Sequence, residues 1–314
     1  IADNLGLIVF QVWNTYPQQN TFVILLGTMA YSVQIYADFS GYSDIAIGIG
    51  RLFGIEMMRN FSFPYFARTV AEFWRSWHIS LTSWFTEYLY IPLGGSRCGT
   101  FRTIVNTLIV FTLCGLWHGA NWTFVIWGFL CGALFIPILL DGGKSKQKWK
   151  QIPVTFTFEN VIHMALVFLA ITVCWIFFRS ISVEQAFDLL GCMFKNITIS
   201  SSVSVVTMVM PPIFFMLLLS FVGIEWKGRN YNHGLDYLQK KSRFFRWMVY
   251  TLLIFSIFFY MQTEGGQFIY QNFTYTHSNQ YPDPMLQKYI RNNIDDKHHI
   301  LHTYRLNVCN HYFS

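Results

Sequence analysis

The chain has 314 residues, of which 12% are charged, 53% are hydrophobic and 19% are aromatic. Soluble globular proteins carry roughly 25% charged residues, so this chain has too little charge to coat a water-facing surface. Its net charge of +6 is spread between apolar runs rather than gathered into one basic patch, which argues against a nucleic-acid-binding protein. Six cysteines, three of them inside apolar stretches, do not form the pattern of a disulfide scaffold.

Long apolar runs predict membrane-spanning helices. A bilayer core about 30 Å thick needs roughly 20 apolar residues as helix, because unpaired backbone groups cannot be left in hydrocarbon. Six candidate spans occur, at 20–37, 103–118, 121–140, 160–178, 203–224 and 246–262. A seventh apolar stretch, 39–55, contains four glycines, so we expect a broken or re-entrant helix there. The predicted fold is an all-α, polytopic transmembrane helix bundle with six or seven crossings.

Lysine and arginine are concentrated in two of the connecting segments. Residues 141–150 contain four lysines, and residues 225–245 contain five lysines and arginines. Short basic loops stay on the cytoplasmic side of a membrane. Two predicted spans separate these segments, so both can face the cytoplasm of a multi-pass protein in the cell (inner or plasma) membrane. The turn at 119–120 and the loop 179–202 then lie on the outer side.

The end of the chain differs from the rest. Apolar character stops after Phe273, and residues 274–314 are polar and contain five histidines. We expect a membrane core over 1–273 and a poorly ordered tail over 274–314. His298 and His302 could share a helix face and bind a metal ion, but a solvated tail is the simpler interpretation, and no metal site is predicted.

Residues 71–88 are the segment richest in aromatic and polar side chains. At helical spacing, seven of them fall on one stripe: Trp74, Trp77, His78, Leu81, Trp84, Phe85 and Tyr88. This pattern predicts an amphipathic helix at the membrane interface, where the aromatic rings act as an anchor. An imidazole among indoles loses solvation and needs a partner, so His78 is either a structural hydrogen-bonding group or a catalytic one.

A second histidine, His118, joins two apolar spans in the sequence GLWHGANW at 115–122. Ionisable residues at membrane depth usually face a bundle interior or a water-filled cavity. Gly115 and Gly119 permit close backbone approach, which would leave room for a substrate beside the ring. The structural alternative is a buried histidine bonded to a backbone carbonyl. Trp117 and Asn121 flank His118 and are candidate site residues with it.

Residues 36–44, YADFSGYSD, place carboxylates, hydroxyls and phenols in an apolar region. These groups must be satisfied internally, which predicts a polar cavity or network containing Asp38, Tyr42 and Asp44, with an ion path as the rival explanation. The glycines at 48–54 lack the spacing and βαβ setting of a dinucleotide site, and no Walker, nucleophile-elbow or zinc-protease motif occurs. Any chemistry must therefore use histidine, hydroxyl and carboxylate groups.

Five motifs, in this order, resemble those of the membrane-bound O-acyltransferases, in the branch that contains the alginate O-acetyltransferase and the D-alanyl transferase of teichoic acids. They are YADFSGYSD at 36–44, EFWRSWHISLTSW at 72–84, YLYIPLGG at 88–95, GLWHGA at 115–120 and GGQFIY at 265–270. The resemblance runs over residues 2–273. The stretch 88–95 looks more like the alginate branch than the D-alanyl branch.

The resemblance implies a bundle around a central tunnel, where a cytosolic acyl donor meets a hydroxyl presented from outside. It implies catalytic roles for His118, in the Trp-His-Gly motif, and His78, in the Trp-His-Ile-Ser motif. The tunnel candidates are Asp38, Tyr42, Asp44, Trp77, Trp117 and Asn121. Family members often have His-Gly where this chain has Cys131-Gly132, and they begin with further N-terminal spans that would wall part of the tunnel.

We therefore expect an O-acyltransferase that moves an acyl group, most simply acetyl, to hydroxyls of an extracytoplasmic polysaccharide or cell-wall polymer. The donor would be a thioester co-substrate, acetyl-CoA or an acyl carrier, with no bound cofactor. An imidazole with a pKa near ~6.5 can take the hydroxyl proton, the role expected of His118. His78, Asn121 or Tyr42 would donate hydrogen bonds to the thioester carbonyl.

The resemblance also implies an extracytoplasmic acetyl-handling partner protein. Two other classes remain open from the sequence. A transporter or channel would also place histidines and carboxylates inside a bundle, and a non-catalytic membrane scaffold would recruit a modifying enzyme through the loop 179–202.

Overall fold

A computed structural model describes residues 1–141, 155–195 and 212–260. Within these ranges the chain forms eleven α-helices and no strand: α1 Ala2–Thr15, α2 Thr21–Leu52, α3 Val70–Ser76, α4 Ile79–Phe85, α5 Thr100–His118, α6 Trp122–Ala133, α7 Ile136–Leu140, α8 Phe158–Arg179, α9 Val183–Lys195, α10 Pro212–Gly228 and α11 Arg243–Tyr260. The predicted all-α fold is confirmed.

Five helical stretches in the described ranges are long and apolar enough to cross a bilayer: Thr21–Leu52, Thr100–His118, Trp122–Leu140, Phe158–Arg179 and Arg243–Tyr260. The chain is therefore a multi-pass membrane protein, as predicted. The predicted span 203–224 lies partly outside the described residues, and its described part falls in α10. The tail 274–314, the motif at 265–270 and the lysines of 142–150 also lie outside them.

The apolar stretch 39–55 is not the broken or re-entrant helix that its glycines predicted. It continues α2, whose 32 residues extend about 48 Å at 1.5 Å per residue. Glycine weakens a helix by only about 1 kcal/mol, whereas a break in hydrocarbon would leave peptide groups unpaired at a cost of several kcal/mol each. The helix ends just before Gly54, which has a left-handed φ of 73°.

The segment 71–88 is not one continuous amphipathic helix. Helix α3 ends at Ser76 and α4 begins at Ile79, because the preceding loop pairs with the backbone at the break. The amide of Ser62 donates to the Ser76 carbonyl at 2.9 Å, and the amide of Ile79 donates to the Asn60 carbonyl at 2.9 Å. A π-helical turn, Thr86–Tyr90, follows α4.

The break divides the predicted aromatic stripe into two parts. Trp77 is 2% exposed and packs into the core, whereas Trp84 and Tyr88 are 50% and 62% exposed. Only the second part retains the character of an interfacial anchor, since exposed aromatic rings suit the boundary between lipid and water.

Helices α5 and α6 form an antiparallel hairpin around the predicted tight turn at 119–120. A Cβ atom on Gly115 would lie 2.2 Å from the carbonyl oxygen of Phe124, and one on Gly128 would lie 2.2 Å from that of Phe111. The two backbones therefore touch, as small residues permit between membrane helices. The space at Gly115, predicted to accommodate a substrate, is filled by α6.

Stacked aromatic rings connect this hairpin to the rest of the core. The ring of Trp127 on α6 stacks on that of Trp175 on α8, with centroids 5.6 Å apart and an interplanar angle of 19°. Trp175 contacts Trp77 at 5.1 Å, and Trp77 stacks on Phe73 of α3 at 5.4 Å. This row of rings fixes the α3–α4 break opposite the end of α5.

Candidate active site

A cavity of about 70 Å³ lies between the α3–α4 segment and the α5–α6 hairpin. We call it the histidine cavity, because both histidines singled out in the sequence line it. Its other lining residues include Trp74, Trp77, Cys114 and Trp127. At about 30 Å³ per water molecule, it has room for two waters or a small acyl group.

His118 is the last residue of α5 and is 7% exposed. Three aromatic rings meet its imidazole edge to face, with centroid distances of 4.9 Å to Trp117, 5.2 Å to Trp127 and 5.1 Å to Phe178. The ring therefore has a fixed position in apolar surroundings and borders the histidine cavity.

His78 occupies the break between α3 and α4 and has left-handed backbone angles, φ 43° and ψ 57°. This conformation is uncommon for residues other than glycine, and such positions cluster at functional sites. Its ring lies 4.7 Å from that of Phe39, at an angle of 79°. Burial lowers the pKa of His78 to about 4, so its imidazole is neutral at pH 7.

Two tryptophans beside the cavity carry buried hydrogen-bond donors that the sequence reasoning missed. In the part of the chain that the structure describes, the indole nitrogens of Trp74 and Trp127 have no hydrogen-bond partner. Buried indole N–H groups normally find one. Trp127 lies in a predicted span and Trp74 in the predicted aromatic stripe, where an indole resembles ordinary packing, so only their position beside the cavity makes these donors notable.

Of the predicted tunnel residues, Trp77 lines the histidine cavity, and the others are not part of its lining. Asn121 caps α6 by accepting from the Thr123 amide at 3.1 Å, and its amide donates to the Ile181 carbonyl at 3.2 Å. Trp117 is 56% exposed. Asp38 is half-buried, and Tyr42 and Asp44 are exposed along α2.

Residues 36–44 contribute to a separate polar network. Tyr36 contacts a residue that is distant in the sequence. Its hydroxyl donates to Glu225 on α10, which we call the Tyr36–Glu225 pair. Arg59 lies near this pair and donates to the Tyr231 carbonyl at 3.4 Å. Further along α2, Arg51 and His233 form a hydrogen bond of 3.1 Å. The sequence predicted an internal network here but not Glu225.

The described residues contain no group of three or more histidine, cysteine or carboxylate side chains that could hold a metal ion. Cys131, the residue at which the sequence departs from the family pattern that it resembles, is fully buried on α6. The histidine cavity thus brings two imidazoles together within a wall of tryptophan side chains, an arrangement suited to proton transfer.

Comparison with known proteins finds similar sequences. Residues 7–140 match the sequence profile described as MBOAT, membrane-bound O-acyltransferase family. The chain is 41% identical over 196 residues to a protein named "Probable alginate O-acetylase AlgI" from Pseudomonas putida, covering 62% of this chain and 38% of that protein.

Two further relatives carry related names. A "Peptidoglycan O-acetyltransferase" from Helicobacter pylori is 41% identical over 165 residues, 52% of this chain and 30% of the relative. A "Teichoic acid D-alanyltransferase" from Bacillus subtilis is 28% identical over 134 residues, 40% of this chain and 33% of the relative. The chain thus spans well under half the length of these curated relatives. Residues 7–140, which include both cavity histidines, form a domain of the membrane-bound O-acyltransferase family.

Proposed function

We propose that this protein is a membrane O-acyltransferase whose reaction takes place at the histidine cavity. The observation that carries the proposal is that one cavity brings together His118 of the Trp-His-Gly motif and His78 of the Trp-His-Ile-Ser motif. The two motifs are separated in sequence by a loop and most of α5. Their meeting at one small, aromatic-walled cavity supports a shared chemical role.

His118 acts as the general base in the proposed reaction. Its imidazole takes the proton of an acceptor hydroxyl while the hydroxyl oxygen attacks the carbonyl carbon of a thioester. The C–S bond then breaks, and the departing thiolate takes the proton from the imidazolium, so the products are an ester and a free thiol. Base catalysis of this kind contributes roughly 10²–10⁴-fold to a rate.

The carbonyl oxygen of the thioester gains negative charge as the C–O bond forms, and donors fixed in advance stabilise it. We assign this role to the indole N–H groups of Trp74 and Trp127, which lack a hydrogen-bond partner among the described residues. This assignment replaces Asn121 and Tyr42 as expected donors, because Asn121 is committed to capping α6 and Tyr42 is exposed on α2.

The substrates follow from the names of the relatives and from the expected orientation. Alginate and peptidoglycan both present sugar hydroxyls, so the acceptor is proposed to be an extracytoplasmic polysaccharide or cell-wall polymer and the group acetyl. The donor is proposed to be a cytosolic thioester, acetyl-CoA or an acyl carrier. The protein would act in the cell membrane with an extracytoplasmic acetyl-handling partner.

The test is mass spectrometry of surface glycans from cells that contain the wild-type chain, no chain, or the His118→Gln variant at equal abundance. We expect the acetyl content to fall to the level without the chain in His118→Gln. His163→Gln, which removes a histidine from α8 outside the cavity lining, is the matched control and should retain acetylation. Wild-type acetylation in His118→Gln would refute the proposal and favour a scaffold. A separate transport assay that shows solute flux in cells without acetylation would favour a transporter.

A further inference from the structure

A chain of side chains links His78 to the loop before α3. The hydroxyl of Ser80 lies 3.4 Å from Nδ1 of His78 and 2.6 Å from Oδ1 of Asn60. The backbone amide of Ser80 also donates to Asn60 Oδ1, at 3.3 Å. The backbone of Asn60 is itself fixed, because its carbonyl accepts from the Ile79 amide at 2.9 Å.

The directions of these hydrogen bonds can be deduced one after another. A backbone amide can only donate, so the Asn60 atom that it meets is the carbonyl oxygen and not the amide nitrogen. That oxygen can only accept, so the Ser80 hydroxyl must donate its only hydrogen to it. The Ser80 oxygen then has only lone pairs to offer His78, so a hydrogen bond between them requires the hydrogen to be on Nδ1.

We infer that Asn60 and Ser80 are positioning residues that hold His78 in the tautomer with hydrogen on Nδ1 and the lone pair on Nε2. In a neutral imidazole, the hydrogen bond at one nitrogen decides what the other can do. His78 is thereby prepared to accept a proton or hydrogen bond through Nε2, and it does not donate one from Nε2 to a thioester carbonyl. This inference about the His78 tautomer rests on the proposed function. It replaces the role of hydrogen-bond donor that the sequence suggested for His78.

The backbone conformation explains why such a support is needed. His78 has left-handed φ and ψ angles, and it caps α4, since its carbonyl accepts from the Thr82 amide at 2.9 Å. Asn60 spans the break by bonding to both Ile79 and Ser80. One residue thus fixes the backbone around His78 and, through the hydroxyl of Ser80, the hydrogen on its ring.

The direct test is ¹⁵N NMR of the full chain in lipid nanodiscs with labelled histidine, in which chemical shifts distinguish the two tautomers. The His78 signal is identified by its loss in His78→Gln. We expect hydrogen on Nδ1 in the wild type at pH 7.5, a shift toward hydrogen on Nε2 in Ser80→Ala, and the wild-type pattern in Ser80→Thr. Hydrogen on Nε2 in the wild type, or no change in Ser80→Ala, would overturn the inference.

Asn60→Asp provides an independent check. The aspartate oxygen still accepts from Ser80, so the tautomer should be retained, and its negative charge should raise the pH at which the His78 signals titrate. Ser83→Ala, which removes a hydroxyl one turn further along α4, is the matched control and should change neither property. A titration that moves equally in Asn60→Asp and Ser83→Ala would contradict the proposed chain of bonds.

Kinetics separate this inference from the proposed function. Ser80→Ala should lower kcat for acetyl transfer by ~10-fold or more with little change in KM, since substrate contacts remain, and Ser80→Thr should restore it. If His118→Gln abolishes transfer but Ser80→Ala leaves kcat unchanged, the positioning role of Ser80 is refuted and the proposed function stands. Transfer that survives in both variants would instead refute the proposed function and leave the tautomer measurement standing.

Discussion

The histidine cavity and the Tyr36–Glu225 pair are two places where ionisable side chains lie between the helices of this membrane protein. At the pair, a phenol and a carboxylate satisfy each other, and Arg59 lies close by. At the cavity, two imidazoles border open space, and the indole N–H groups beside them have no partner among the described residues.

The difference separates structural polar groups from reactive ones. Polar groups that satisfy one another stabilise a fold, and buried groups left unsatisfied cost free energy unless a ligand completes them. Changes at the cavity should therefore reduce activity more than stability, whereas changes at the Tyr36–Glu225 pair should reduce stability more than activity.

The largest effect after loss of His118 is expected from Trp127→Phe. Loss of one donor to a developing oxyanion costs about 10²–10³-fold in kcat, and the phenyl ring retains part of the stacking on Trp175. The measurement is the initial rate of acetyl transfer per mole of protein. Trp84→Phe, at an exposed position, is the control, and equal rates in the two variants would exclude the Trp127 indole as a donor.

Gly128→Ala should separate the two helices of the hairpin that carries His118. Its Cβ would lie 2.2 Å from a backbone oxygen, and overpacking of this kind costs about 1–3 kcal/mol. Gly41→Ala on α2 meets no atom within 4 Å and should be neutral or slightly stabilising. The thermal midpoint in detergent compares them, and equal midpoints would show that the hairpin is not closely packed.

Tyr36→Phe should lower the free energy of unfolding by about 2 kcal/mol, because it leaves the Glu225 carboxyl without its donor. It should leave kcat within about twofold, since Tyr36 lies outside the cavity lining. Tyr88→Phe removes an exposed phenol and serves as the control for thermal unfolding. A larger loss of kcat than of stability in Tyr36→Phe would make the Tyr36–Glu225 pair part of the reactive site.

The smallest effect is the dependence of stability on pH that comes from His78. Its folded pKa of about 4 is below the ordinary value of ~6.5. The unfolded chain therefore binds the proton first, so this contribution is present above pH ~6.5 and is lost as the pH falls toward 4. The loss between pH 7 and pH 5 should be on the order of 1–2 kcal/mol. His78→Asn should flatten this part of the stability curve, and an unaltered slope would contradict the burial of a neutral ring.

Hydropathy was enough to predict the five long apolar helices of the described residues, and the motifs singled out the two histidines that line the cavity. A run of apolar residues has few alternatives in a bilayer, and imidazoles are rare there. The break at His78 was not predictable from residues 71–88, because it depends on Asn60 and Ser62 in the preceding loop. Glu225 lies 189 residues from Tyr36, a separation that helical periodicity does not reveal.

The central claim, that His78 and His118 serve one reaction at one cavity, is tested most directly by a double-mutant cycle on the rate of acetyl transfer. Rates are compared for His78→Gln, His118→Gln and the double variant, since groups that act as a unit are strongly non-additive. The account predicts that the double variant is no slower than the slower single variant. Losses that multiply would show that the two histidines act independently and would contradict a shared site.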